Sequence, residues 1–306
     1  MSAARPGPAS TPTRYAGILA LLAAATLWSL NGVLIKVLSA DQMPGITIAC
    51  LRSLIGGLVF LPLAWPRRHT LRNVGAAWPV GCVLMFTLMT ATFVISNTMT
   101  TSANAIILQY TSPIWIFLLS PLLLRERPRR AEGAVLVVAM AGVAIIFAGH
   151  ARDSLAALLV ALTSGLGYGA LTVALRGLRP VNAMVVAAMN ALGSGVLLIA
   201  PTLIWGTFEL TARQWGLVVL MGLVQFTLPY FLFTWALQRV EAHRAGMVVL
   251  LEVVLNPVWT FLAVSETPAL STLIGGPLVL AGVVGTLLLG RPRPPTPPRP
   301  SAGPGP

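Results

Sequence analysis

Three ionisable side chains fall well inside long apolar runs: Lys36, Arg52 and Glu252. A charge in hydrocarbon is costly, so such residues face a bundle interior or a wet cavity, where they bind solutes or relay ions and protons. Glu252 stands eight residues beyond Arg244, about 12 Å into its run. Asn256 and Trp259 follow at i+4 and i+7, so a carboxylate, an amide and an aromatic ring share one helical stripe. That stripe suits an amine-bearing solute; the alternative is a structural carboxylate locking its helix to a neighbour. Arg52 stands seven residues beyond Gly45, about 10 Å into its run. It serves either as a brace to neighbouring backbone carbonyls or as a solute-binding cation. Lys36 lies near the end of its run, from which its stem can snorkel to the headgroups.

Uncharged polar and aromatic residues on other runs complete a candidate pocket. Gln109 and Ser112 share a face just before Pro113. A proline there removes a backbone hydrogen bond, and the freed carbonyl four residues back can line a cavity. Pro257 is the matching kink candidate one turn after Glu252. Ser164, Tyr168 and Thr172 form an i, i+4, i+8 stripe; Asn190, Gln225 and Tyr230 are isolated, and Trp28 and Asn31 sit mid-run. Each alone serves as helix–helix glue or as lining. Together they describe a pocket with few charges and several aromatics, suited to a small amphipathic solute. Gly56-Gly57, Gly165, Gly167, Gly169, Gly193 and Gly195 allow close helix approach, in a static bundle as well as a moving one.

The elements that must position these residues are membrane helices. Charged residues make up 9% of the chain and apolar ones 56%, far from the soluble average of about 25% charged. Mean hydropathy is +0.84. Runs of roughly 20 apolar residues are long enough to cross a bilayer. They read as spans at 15–38, 45–65, 74–98, 103–124, 131–149, 154–176, 181–205, 214–237, 244–265 and 270–290. Residues 1–14 and the proline-rich 291–306 read as disordered tails, and no signal peptide precedes the first span. The net charge of +12 does not point to nucleic acid, because the basic residues sit between the runs. Sixteen arginines, from Arg5 to Arg299, fall on one side, against Arg152 and Arg213 on the other. That bias puts both termini in the cytoplasm of a multi-pass plasma-membrane protein. Cys50 and Cys82 read as small buried hydrophobes.

The chain also repeats itself. At a shift of 140, Glu126-Arg127-Pro128 falls on Glu266-Thr267-Pro268, Ala141-Gly142-Val143 on Ala281-Gly282-Val283, and Phe86-Thr87-Leu88 on Phe226-Thr227-Leu228. Arg52 falls on Asn190 at 138, and Trp28 lies opposite Gly165 at 137. Ser112-Pro113 stands where the second copy has Glu252-Val253, so only the second copy carries the deep acid. Five spans per copy mean that the second enters from the opposite side. The expected fold class is therefore an all-α membrane protein of ten transmembrane helices in two inverted five-helix repeats, 15–150 and 151–290.

With ten spans, paired five-span copies, Arg52 in the second span and Glu-x-Pro closing the fourth and ninth, the chain resembles the drug/metabolite transporter superfamily, EamA-like branch. The resemblance covers residues 15–290 and implies a transporter of small metabolites, often an exporter of amino acids or related compounds. The family often carries Glu-Pro inside the ninth span; here it is Glu252-Val253, with the proline at Pro257. The expectation is secondary transport by alternating access, the partners being a small-molecule solute and the lipid bilayer, with a homodimer left open. A multidrug or cation efflux protein is the alternative, and a non-transport membrane subunit a weaker one. An enzyme does not fit: no cysteine–histidine cluster has metal spacing and no nucleophile stands beside a base, so no metal or cofactor is expected. No nucleotide-binding G-x-x-x-x-G-K-[ST] loop is present.

Overall fold

The computed structural model describes residues 11–124, 130–149, 155–237, 239–240, 245 and 248–289. The Glu126-Arg127-Pro128 segment, His150, Arg152, His243, Arg244 and the C-terminal tail lie outside these. Among the described residues every regular element is helical: α1 (Thr11–Ser29), α2 (Asn31–Ala40), α3 (Gly45–Ala64), a 3-10 segment (Trp65–Asn73), α4 (Ala77–Met99), α5 (Ser102–Gln109), α6 (Ser112–Leu124), α7 (Arg130–Ala148), α8 (Leu155–Gly177), α9 (Ala183–Trp205), α10 (Ala212–Leu220), a π-helical segment (Met221–Thr227), α11 (Leu228–Leu237), α12 (Leu251–Val264) and α13 (Leu270–Leu289). Seven helical stretches are long and apolar enough to cross a membrane, and three shorter apolar helices cover 133–148, 251–264 and 270–285. Large apolar side chains such as Leu122, Leu203, Trp205 and Leu270 stand more than two-thirds exposed. In water that belt would be a liability; in lipid it is the natural outer face.

Several boundaries differ from those expected. The first helix already includes Thr11, inside the stretch read as a tail, and the first span breaks at Leu30. The fourth breaks at Tyr110-Thr111. Residues 65–73 form a 3-10 segment, so the third span starts at Ala77 and not at residue 74. Helix α12 runs without interruption through Pro257, and the turn residue is Leu250.

The halves pack on each other through glycines. A Cβ on Gly57 of α3 would lie 2.6 Å from the Leu192 backbone nitrogen of α9, and one on Gly195 would lie 2.9 Å from that of Leu54. Only glycine permits this approach. The two contacts are one contact with the halves exchanged, since Leu54 and Gly57 become Leu192 and Gly195 at a shift of 138. Likewise Gly142 of α7 meets Val279 of α13, and Gly282 meets Ala139, now at a shift of 140. Along α7 and α13 one residue number falls as the other rises, from Gly149–Ser271 to Val135–Gly285, so these helices run antiparallel. So do α3 and α9, from Thr47–Gly206 to Gly57–Leu192. Other pairs also have exchanged counterparts: α4 with α8 and α11 with α1, α6 with α8 and α12 with α1.

Candidate functional site

Broken helices converge near the centre. The α1–α2 break is tightened by Leu30 N–H donating to the Leu27 carbonyl and by the Ser29 hydroxyl donating to Thr26 at 2.7 Å. The α5–α6 break is held by the Thr111 hydroxyl, which donates to Leu108 at 2.6 Å. Pro113 follows in the first turn of α6, where a missing N–H costs nothing. Position 250, which precedes α12, is position 110 shifted by 140, so both turns fall at equivalent places. The π-helical segment widens the apolar helical stretch Ala212–Leu237, with the Thr227 hydroxyl reaching back five residues to Gly222 at 2.7 Å. Such segments are frequent at functional sites.

Arg52 is 4% exposed. One terminal nitrogen donates to Asn31 Oδ1 at 2.9 Å and the other to the Thr90 hydroxyl. The guanidinium lies 5.9 Å from the Phe226 ring centroid, and its Nε–H has no acceptor. The cation is thus braced by neutral groups, and among the described residues no carboxylate pairs with it. Asn31 was expected as lining; Thr90 and Phe226 were not.

Glu252 occupies the first turn of α12, half-buried, where the positive end of the helix dipole favours a carboxylate. Its Oε2 accepts the Tyr110 hydroxyl at 3.1 Å. Tyr110 packs edge-to-face on Tyr168, with ring centroids 6.3 Å apart. Arg52 and Glu252 do not form an ion pair with each other. Tyr110→Phe removes one hydrogen bond to a charged group and little volume. It should lower transport about tenfold at unchanged thermal stability, as read in membrane vesicles with the protein level matched.

An aromatic wall borders Arg52: beyond Phe226, Tyr230 meets Phe226 at 6.4 Å and Phe60 at 5.8 Å, and Trp28 stacks edge-on to Tyr230 at 6.0 Å. Gln225 donates to the Trp28 carbonyl at 3.3 Å, leaving its own carbonyl unpaired. Asn256 is fully buried with neither end of its amide paired, beside Gly32. Trp259 donates to the Ser29 hydroxyl at 2.8 Å. Asn190 is buried on α9 with its carbonyl unpaired. Gln109 and Ser112 flank the α5–α6 break. Ser164 and Thr172 bond back to their own helix, at Ala161 and Tyr168, which leaves Tyr168 as the member of that stripe facing the acid's partner. Lys36 does not snorkel to the headgroups; it pairs with Glu266 at 2.6 Å. An open apolar groove of about 560 Å³ lies between α6, α7 and α8, lined by Trp115, Phe117 and Met140, and none of the site residues above is in its lining.

A profile of the EamA-like transporter family matches residues 15–148 and again residues 155–288. The chain belongs to the EamA-like transporter family. This EamA-like chain is similar to the pseudopaline exporter CntI of Pseudomonas aeruginosa, 28% identical over 271 residues that cover 88% of this chain and 94% of the exporter. It is also similar to an uncharacterised transporter of Archaeoglobus fulgidus, at 25% identity over 89% of this chain and 96% of that one. The uncharacterised transporter YwfM of Bacillus subtilis is 24% identical over 87% of this chain and 92% of its own. A solved crystal structure shares the fold, with a TM-score of 0.62 over 91% of this chain and 99% of that one, at 22% identity. The EamA-like family consists of transporters, and this member is a multi-pass, all-helical membrane protein.

Proposed function

We propose that this chain is a ten-span transporter, built of two inverted repeats, that exports an amino-acid-like zwitterion across the plasma membrane by alternating access. Glu252 receives the solute amine and Arg52 its carboxylate. The observation that carries the reading is this pair of opposite charges, one from each half, held in the interior without pairing to each other. A buried charge lacking a counter-charge is costly, and a solute bearing both signs relieves both. The aromatic wall beside Arg52 suits its apolar body. Antiparallel packing of α3 on α9 and of α7 on α13 supports the inverted repeats of 15–150 and 151–290. The named exporter among the relatives supports outward movement. Protonation of Glu252 releases the amine and couples export to the proton gradient.

Two measurements test this. Cells with and without the gene are compared for metabolites inside and in the medium; one zwitterionic metabolite should accumulate inside when the gene is missing. A broadened drug-susceptibility profile instead would support multidrug or cation efflux. For topology, cysteines replace Thr70 and Phe208 in turn. An impermeant thiol reagent applied outside should reach position 208 and not 70; the reverse, or equal labelling, removes the ten-span arrangement with both ends inside.

A further inference from the structure

An ion pair at the end of α12 takes one partner from each half. The Lys36 ammonium on α2 lies 2.6 Å from Glu266 Oε2 and donates to the Thr100 carbonyl at 2.7 Å. The other carboxylate oxygen of Glu266 accepts the Ser102 backbone N–H at 2.7 Å. The pair therefore ties together α2, the α4–α5 turn and the α12–α13 connection. Its side chains are 19% and 15% exposed, so water screens it only in part.

Local chemistry aims Glu266 inward. Helix α12 ends on Ser265 in the left-handed region, φ 54°, and the Glu266 N–H returns to the Thr260 carbonyl at 3.3 Å. This helix-closing turn folds the chain back over the bundle. Ser102 N–H is one of the donors that the start of α5 leaves without an intrahelical partner, so the acid caps it. The Ser102 hydroxyl in turn donates to Asn97 at 2.8 Å. One turn from Lys36 toward the centre, Gly32 presses against Asn256 and Ser102. A Cβ there would lie 2.6 Å from Asn256 Oδ1 and 2.7 Å from Ser102 Oγ. Beyond Gly32 lie Asn256, with its unpaired amide, and then Glu252, fourteen residues from Glu266 and about 20 Å from it along the helix. At the shift of 137 that aligns the first helix of each half, Val173 stands where Lys36 does. These positions therefore build the ion pair at one end only.

We propose that Lys36 and Glu266 form the latch of a gate at the end of the pathway remote from Glu252. The latch is closed here. Opening toward that side draws α2 away from the α12–α13 connection, breaks the ion pair, releases the Ser102 N–H and admits solvent to Asn256. This rests on the alternating-access reading.

The test is thiol accessibility of Asn256→Cys in a chain with Cys50 and Cys82 replaced by Ala, in membrane vesicles of both orientations. With the latch intact, an impermeant maleimide applied on the Glu266 side should label slowly. Lys36→Gln or Glu266→Gln should speed labelling about tenfold, between the effects of exposed and buried pairs. The reversed pair, Lys36→Glu with Glu266→Lys, should slow it again. Equal rates in all four overturn the latch. Hydrogen exchange at the Ser102 amide, without the reporter cysteine, gives a second reading: faster in Lys36→Gln supports the latch, unchanged overturns it. Uptake by wild-type vesicles is measured alongside. Transport with charge-insensitive labelling removes the latch alone; charge-sensitive labelling without transport of any zwitterion removes the functional reading alone.

Discussion

Replacing Glu252 with Gln should lower export about a hundredfold while insertion and folding persist. The substitution keeps the volume and an oxygen that can still accept the Tyr110 hydroxyl, now 3.1 Å from the carboxylate. What it removes is the charge. In a half-buried site the contact between a carboxylate and a solute amine is worth far more than at a surface, because less solvent screens it. The measurement is efflux from preloaded cells over a range of pH, with the membrane-inserted protein quantified. Unchanged export with an unchanged pH profile makes Glu252 a structural carboxylate. Export that is lost while its remnant no longer depends on pH supports its role as the coupling acid.

Arg52→Met should abolish most export, again about a hundredfold, yet change stability by no more than about 2 kcal/mol. Two terms oppose each other. Removing the guanidinium leaves Asn31 Oδ1 and the Thr90 hydroxyl without their partner, at about 1–3 kcal/mol for a buried group. Against this, a buried cation with no carboxylate beside it carries a desolvation cost, and apolar replacements of such charges are often neutral or stabilising. A purely structural Arg52 would have the first term dominate, and the variant would unfold well below wild type. A solute-binding Arg52 retains the fold and loses function. Thermal unfolding in detergent and efflux in cells, done on the same variant, separate the two. Arg52→Lys should be intermediate in export, since an ammonium keeps the charge and loses the planar fork that matches a carboxylate.

The sequence reveals the membrane class, the doubled chain and the two charges inside apolar runs, Arg52 and Glu252, because each depends on local pattern. Apolar run length marks helices, and a charge inside such a run is conspicuous. Glycines at matching shifts, such as Gly57 and Gly195, mark the crossing where a Cβ has no room. What escaped detection depends on contacts between distant residues. Tyr110 looks like any aromatic in an apolar run until the break beside it turns its hydroxyl onto Glu252. Thr90 and Phe226 gain meaning only once α3, α4 and the π-helical segment meet around Arg52. Helical periodicity did not show the interruptions at Leu30 and Leu250, and Pro257 drew attention to a kink that lies seven residues earlier. Lys36 looked like a snorkelling side chain because its partner is 230 residues away in the chain.

Arg52 and Glu252 are proposed here as the two poles of one binding site. The most direct measurement is ligand-induced thermal stabilisation of the purified protein by α-amino acids, their methyl esters and their N-acetyl derivatives. Wild type should be stabilised by free amino acids and far less by either derivative. Glu252→Gln should lose its discrimination against the N-acetyl group, and Arg52→Met its discrimination against the ester. If both variants keep full discrimination, or both lose every ligand alike, the two residues are not opposite poles of one site.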